Sequence, residues 1–125
     1  MKKILIVDDD EKVRLFVQEL LLPLGYPVFL AVDGQDALQI MRKEKPDLLV
    51  LDLAMPKMHG YEVCKRVRSD SDPAISGVKI IVISAKNYPV DMKTAKDAGA
   101  DMYLVKPFGL QELRDAVSKL LGTLP

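Results

Sequence analysis

The chain has 125 residues, balances 18 basic side chains against 18 acidic ones, and contains a single cysteine, Cys64. That length suits one domain, residues 1–125, with an ordinary hydrophobic core. The even charge leaves no electrostatic footprint for nucleic acid or an anionic membrane, one cysteine excludes an internal disulfide and fits a reducing cytoplasm, and no apolar run approaches the ~18 residues of a membrane span.

The start, Met1-Lys2-Lys3 followed by Ile4–Val7, imitates a signal peptide, but its apolar core is too short and runs into Asp8-Asp9-Asp10. Ile4–Val7 instead reads as a first strand. From Glu11 to Leu22, Val13, Phe16, Val17, Leu20 and Leu21 fall at helical spacing, with Asp10 as the expected N-cap and Pro23 and Gly25 as the stop. Pro27–Val32 reads as a second strand. Asp33 then caps a helix carrying Ala37, Leu38, Ile40 and Met41. Leu48–Leu51 is the third strand, and Gly60–Arg68 a helix with Val63, Cys64 and Val67 on its apolar face. Ser69–Gly77 reads as a polar loop, Val78–Ile83 as the fourth strand, and Val90–Ala98 as a helix stopped by Gly99. Met102–Val105 is the fifth strand, and Gln111–Leu121 closes the pattern as a helix.

Strands alternating with helices predict an α/β fold: a doubly wound, five-stranded parallel sheet with helices on both faces. Parallel strands require right-handed crossovers, and at this length the flavodoxin-like order 2-1-3-4-5 is expected.

The chemistry lies where those strands end. Asp52 closes the most apolar run of the chain, Leu48-Leu49-Val50-Leu51. A carboxylate there costs free energy unless it is paired, metal-bound or at a cleft, and the carboxyl ends of strands are where such sheets bind ligands. The first strand is followed by Asp8 and Asp9, the fourth by Ser84, the fifth by Lys106-Pro107. In order 2-1-3-4-5 these four ends are neighbours. Three carboxylates at ~4 Å repel by about 4 kcal/mol per pair at an effective dielectric near 20. A cation relieves that repulsion, and an all-oxygen site with open positions suits Mg²⁺. With an ammonium and a hydroxyl beside it, the site fits a phosphoryl group, and the carboxylate can itself be the nucleophile that becomes an aspartyl phosphate.

Ile6-Val7-Asp8-Asp9, Leu51-Asp52-Leu53-Ala54-Met55-Pro56 with Gly60, Ser84-Ala85 and Tyr103-Leu104-Val105-Lys106-Pro107-Phe108 together resemble the receiver domain of two-component response regulators, of the chemotaxis-regulator type. The likeness covers nearly the whole chain. It implies that Asp52 accepts a phosphoryl group from a sensor histidine kinase or a phosphotransfer protein. It implies that Asp9, Asp52 and the backbone carbonyl of Ala54 hold Mg²⁺, with Asp8 binding through water. It implies that Lys106 contacts a phosphate oxygen, that the peptide before Pro107 is cis, and that Ser84 and Tyr103 are the switch pair. The exposed part of the first helix, around Glu11, Lys12, Leu15 and Phe16, is the kinase contact by the same likeness. Ala54 and Lys86 stand at two positions that the family links to phosphate lifetime, and their identities point to slow self-dephosphorylation.

Other readings are weaker. A phosphatase or mutase of the dehalogenase type needs an acid/base Asp two residues after the nucleophile, where this chain has Ala54. A receiver-like scaffold that no longer switches would lack part of the acid cluster or the lysine. His59 reads as a solvated loop residue, Cys64 as a small core residue. Met102 and Ala116 stand where one class of dimerising receivers places charged partners for Glu112. No GxGxxG or P-loop pattern is present. The expected protein is a cytoplasmic signalling switch without direct nucleic-acid or membrane contact, and its enzymatic activity is at most slow loss of its own phosphate.

Overall fold

The computed structural model of the chain describes residues 2–53, 58–85 and 88–122. Its elements are β1 (Ile4–Val7), α1 (Glu11–Leu21), β2 (Val28–Ala31), α2 (Gly34–Glu44), β3 (Leu48–Asp52), α3 (Gly60–Arg68), α4 (Pro73–Ser76), β4 (Lys79–Ser84), α5 (Pro89–Ala98), β5 (Met102–Val105) and α6 (Leu110–Leu121). The five strands form one parallel sheet in the order β2-β1-β3-β4-β5.

That order follows from chain direction and handedness. The step from β1 to β2 moves one way along the sheet, and every later crossover moves the other way. With right-handed crossovers, α1 lies on one face and α2, α3 and α5 on the other. Apart from Asp52, Lys79 and Ser84 at strand ends, the strands are apolar because both faces are covered, and their side chains divide by the two-residue period. Leu5, Val7, Leu49, Leu51, Ile80 and Val82 pack with α2, α3 and α5. Ile4, Ile6, Leu48, Val50, Ile81 and Ile83 pack with α1 and α6. Cys64 is fully buried in the first of these layers, where burial pushes its thiol up to about 11 and keeps it from acting as a nucleophile.

Two local expectations change. The stretch 69–77 is not all loop: α4 forms there because Asp72 caps the Ala74 N–H, Pro73 occupies the first turn, and Ile75 is buried as an anchor. The first helix stops one residue early, at Leu21. Pro23 has no N–H to continue it, so the chain tightens into a 3-10 turn at Leu22–Leu24, closed by Gly25 at φ +87°. The cap assignments at Asp10 and Asp33 hold, with bonds to Lys12 N and Asp36 N.

Among the described residues, no helix is long and apolar enough to cross a membrane.

Candidate functional site at the carboxyl ends of the strands

Beyond Val7, the backbone at Asp8 is still tied to the sheet by its N–H, which donates to Ala31 O at 3.2 Å. The side chain turns into the crevice between β1 and β3 and is 3% exposed. Its Oδ1 accepts from the Asp10 N–H at 2.9 Å, and the Arg14 guanidinium donates to the Asp8 carbonyl at 2.7 Å. Asp9, one residue on, is exposed. Asp52 ends β3 opposite Ile83 and is 6% exposed. One carboxylate oxygen from each of Asp8, Asp9 and Asp52 lies within 4.8 Å of the other two.

The lysine arrives from β5. The N–H of Lys106 donates to Ser84 O at 2.8 Å, and the Lys106–Pro107 peptide is cis. Nζ of Lys106 stands 3.4 Å from Asp52 Oδ1 and 3.8 Å from Asp8 Oδ2. Ser84 ends β4 opposite Val105, and is buried. Tyr103 is half-buried on β5 opposite Val82 and packs against the layer beneath α2, α3 and α5. The expected residues Asp8, Asp9, Asp52 and Lys106 therefore meet, while Ser84 ends the next strand over. The Ala54 carbonyl and Lys86 lie outside the described residues.

Gly60 fixes the far wall. Its N–H donates to Leu53 O at 3.1 Å, and a Cβ on it would sit 2.8 Å from both Asp52 O and Leu53 Cα. Only glycine lets α3 begin this close to the end of β3. His59 is not merely a solvated loop residue: Nδ1 accepts from the Tyr61 N–H at 3.2 Å and caps α3, and its ring lies 4.8 Å from that of Tyr61. Arg14 was not singled out from the sequence either, because nothing in its helical spacing marks a bond to a carbonyl six residues earlier.

Burial is the main cause that raises the Asp8 carboxyl to about 6; Asp52 and Asp9 add to it, while the Asp10 N–H and Lys106 oppose it. A carboxyl raised from 3.8 to about 6 stabilises the fold below pH 4, and that contribution is lost as pH rises through 6. The metal-free protein is expected to lose on the order of 2 kcal/mol across that window from this group. Asp8→Asn keeps the acceptor for Asp10 and removes the charge. Chemical denaturation at pH 4 and pH 7 without divalent ions should show a flatter dependence and higher stability at pH 7 for the variant; equal slopes would contradict the assignment.

Among the described residues, three carboxylates against the Lys106 ammonium and the Arg14 guanidinium leave an excess of negative charge in a partly buried crevice. All the donors are oxygens, so the set fits a hard divalent cation such as Mg²⁺.

A groove of about 230 Å³, lined by Val13, Phe16, Lys106, Pro107 and Phe108, opens beside the cluster. A larger hollow of about 500 Å³ between α2 and α3, bordered by Leu38, Arg42, Lys65 and Ile75, includes none of the clustered acids.

Comparison with known proteins identifies the family. A family model described as the response regulator receiver domain matches residues 4–118. The chain is 43% identical over 119 residues to the response regulator MprA of Mycobacterium leprae, covering 95% of this chain and 50% of that protein. It is 42% identical over 120 residues to the probable transcriptional regulator ycf27 of Porphyridium aerugineum, covering 96% of this chain and 48% of that protein. The chain thus spans about half the length of these relatives. Among solved structures it is similar to the Vibrio cholerae chemotaxis protein CheY4, with a TM-score of 0.89, 33% identity, and coverage of 96% and 98% of the two chains. A putative response regulator from Chloroflexus aurantiacus matches with a TM-score of 0.89 and 38% identity, covering 96% of this chain and 97% of that one. The strand order, the acids gathered at its switch point and these matches agree, and the chain belongs to the response regulator receiver domain family.

Proposed function

We propose that this chain is a phosphorylation-switched signalling module in which Asp52 accepts a phosphoryl group from a histidine kinase or phosphotransfer protein. The observation that carries this reading is Lys106 Nζ at 3.4 Å from Asp52 Oδ1, beside three carboxylates whose oxygens approach within 4.8 Å. An oxygen of Asp52 attacks the phosphorus of a phosphohistidine. A P–O bond forms and the P–N bond breaks; its electron pair returns to the imidazole, which leaves. Phosphoryl transfer asks the protein mainly for position and charge neutralisation. Lys106 holds an ammonium against the carboxylate that becomes the acyl phosphate. Asp9, Asp52 and the Ala54 carbonyl would hold Mg²⁺, with Asp8 behind a water. The ion supplies neutralisation of charge on the transferring oxygens.

Ser84 and Tyr103 are the proposed readers of the phosphoryl group, biasing a pre-existing equilibrium rather than creating a new state. The groove between α1 and Lys106 supports docking of the phosphodonor there, since it joins exposed Phe16 to the site lysine. The module is proposed to work in the cytoplasm through an output domain or protein, without touching nucleic acid itself, and to lose its phosphate slowly.

Acetyl phosphate with Mg²⁺ should place one acid-stable, base-labile phosphate on the chain; absence of any adduct would refute the reading. The metal is tested separately. Mg²⁺ should raise the melting temperature, and Asp9→Ala should abolish most of that gain while leaving the metal-free protein at least as stable. Equal Mg²⁺ stabilisation of both proteins would count against the site.

A further inference from the structure

The turn between β1 and α1 carries two of the three clustered acids, and its backbone is closely held. The Asp8 N–H donates to Ala31 O at 3.2 Å, and the Asp10 N–H donates to Asp8 Oδ1 at 2.9 Å. Asp10 Oδ1 accepts from the Lys12 N–H at 2.9 Å, and Asp10 O accepts from the Arg14 N–H at 3.0 Å. The carbonyl of the peptide that joins Asp8 to Asp9 takes a different donor. Nη1 of half-buried Arg14 reaches back from α1 and donates to Asp8 O at 2.7 Å.

That choice of acceptor has two effects on the acids. Lys106 ion-pairs with the carboxylates of Asp8 and Asp52, whereas the Arg14 bond to a carbonyl occupies no carboxylate lone pair. A peptide unit is planar, so a bond that fixes Asp8 O also fixes the N and Cα of Asp9, and with them the direction in which the Asp9 side chain leaves the backbone. Asp8 is buried and its carboxylate is bonded to the Asp10 N–H. Asp9 is the exposed member of the cluster, so its aim depends on the backbone beneath it.

Charge and bracing act in opposite directions. As a charge, Arg14 repels a divalent cation and weakens its binding. As a brace, it holds a ligand in place and strengthens binding, as groups that orient metal ligands do.

We infer that Arg14 is a positioning residue for the cation site: through the Asp8 carbonyl it aims Asp9, and this outweighs the repulsion by its own charge. The inference rests on the proposed reading of the cluster as a Mg²⁺ site. It adds a basis for choosing among cations. Mg²⁺ demands near-octahedral geometry with short bonds, while Ca²⁺ accepts looser and more variable shells. A braced Asp9 therefore favours Mg²⁺ over Ca²⁺.

Separate titrations of the unphosphorylated full chain with Mg²⁺ and Ca²⁺, followed by the amide NMR signals of Asp8, Asp9 and Asp10, test it. Arg14→Ala should weaken Mg²⁺ binding by about 10-fold, as expected for loss of a group that orients a metal ligand. Ca²⁺ binding should weaken by no more than about 3-fold. Arg14→Lys keeps the charge but lacks the planar fork, so its Mg²⁺ affinity should fall between those of wild type and Arg14→Ala. It also decides the matter if Arg14→Ala does not fold. Val17→Ala is the control for lost stability alone: Val17 is 1% exposed beneath the same helix, and its truncation leaves the turn untouched. Both ions should bind this variant as they bind wild type. Mg²⁺ affinity in Arg14→Ala or Arg14→Lys that equals or exceeds that of wild type overturns the role of Arg14. So does an equal loss for the two ions, or the same loss in Val17→Ala. Wild type that binds neither ion overturns the metal site itself, and the role of Arg14 with it.

Discussion

Asp52→Asn is expected to reduce phosphate incorporation from acetyl phosphate to background. The substitution is nearly isosteric and keeps a polar group at the end of β3, so the sheet and the start of α3 should persist. An amide oxygen is a poor nucleophile at neutral pH, and its acyl phosphate analogue does not form. Removal of one of three mutually repelling carboxylates should also raise the melting temperature of the metal-free protein. Asp10→Asn is the matched control. Asp10 is exposed and its side chain caps α1 through the Lys12 N–H, so this variant should label like wild type. Mass spectrometry of intact protein before and after mild base reads both variants. An adduct that survives Asp52→Asn, or is lost in Asp10→Asn, would place the acceptor elsewhere.

Arg68→Ala should cost about 3–5 kcal/mol of stability, the range expected when one member of a partly buried, charged network is removed. Its guanidinium donates to the carbonyls of Gly99, Ser76 and Val78 and to the Asp101 carboxylate. Asp101 in turn accepts from the Ile80 N–H at 2.8 Å, at the start of β4. One side chain thus ties the end of α3 to the end of α4, the entry to β4 and the loop before β5. Its stem also fills the space above Gly99, which sits at φ +113° and where a Cβ would lie 2.6 Å from Arg68 Cγ. Arg68→Lys restores a charge but no fork, and should recover less than half of the loss. Urea unfolding should show a lower midpoint with an unchanged slope. A loss below about 1 kcal/mol would demote the network to an ordinary surface pair.

The two predictions differ in how visible they were beforehand. Asp52 announces itself, because a charge at the end of a run such as Leu48–Leu51 conflicts with its surroundings unless it has a function. Arg68 announces nothing: it falls at the end of an amphipathic helix, where a basic residue is ordinary. Apart from Asp101, its partners are backbone carbonyls, which every residue owns, at positions up to 31 residues away. Tyr61 and His59 are alike in this. The hydroxyl of Tyr61 reaches a carbonyl 30 residues on, and the histidine at 59 caps a helix where Ser, Thr, Asp or Asn would have been the readable signal. At α4 the signal was present, Asp72-Pro73 being an N-cap followed by a first-turn proline, but a four-residue helix has too little periodicity to stand out within a polar stretch.

The sequence by itself determined the order of the strands and of every helix but α4, the parallel sheet, and the strand ends that bring Asp8, Asp9, Asp52 and Lys106 together. Those depend on local apolar periods and on the rule that right-handed crossovers bring strand ends together. The tertiary structure alone decided how the site is charged and braced. It buries Asp8 enough to raise its carboxyl while Asp9, one residue on, stays in solvent, a difference that chain proximity does not reveal. It places Lys106 closer to Asp52 than to Asp8, and it ties α3 to the Asp91 carbonyl through Tyr61 and to the Gly99 carbonyl through Arg68. Desolvation and long-range hydrogen bonds depend on distances between distant segments, and those distances exist only once the chain has folded.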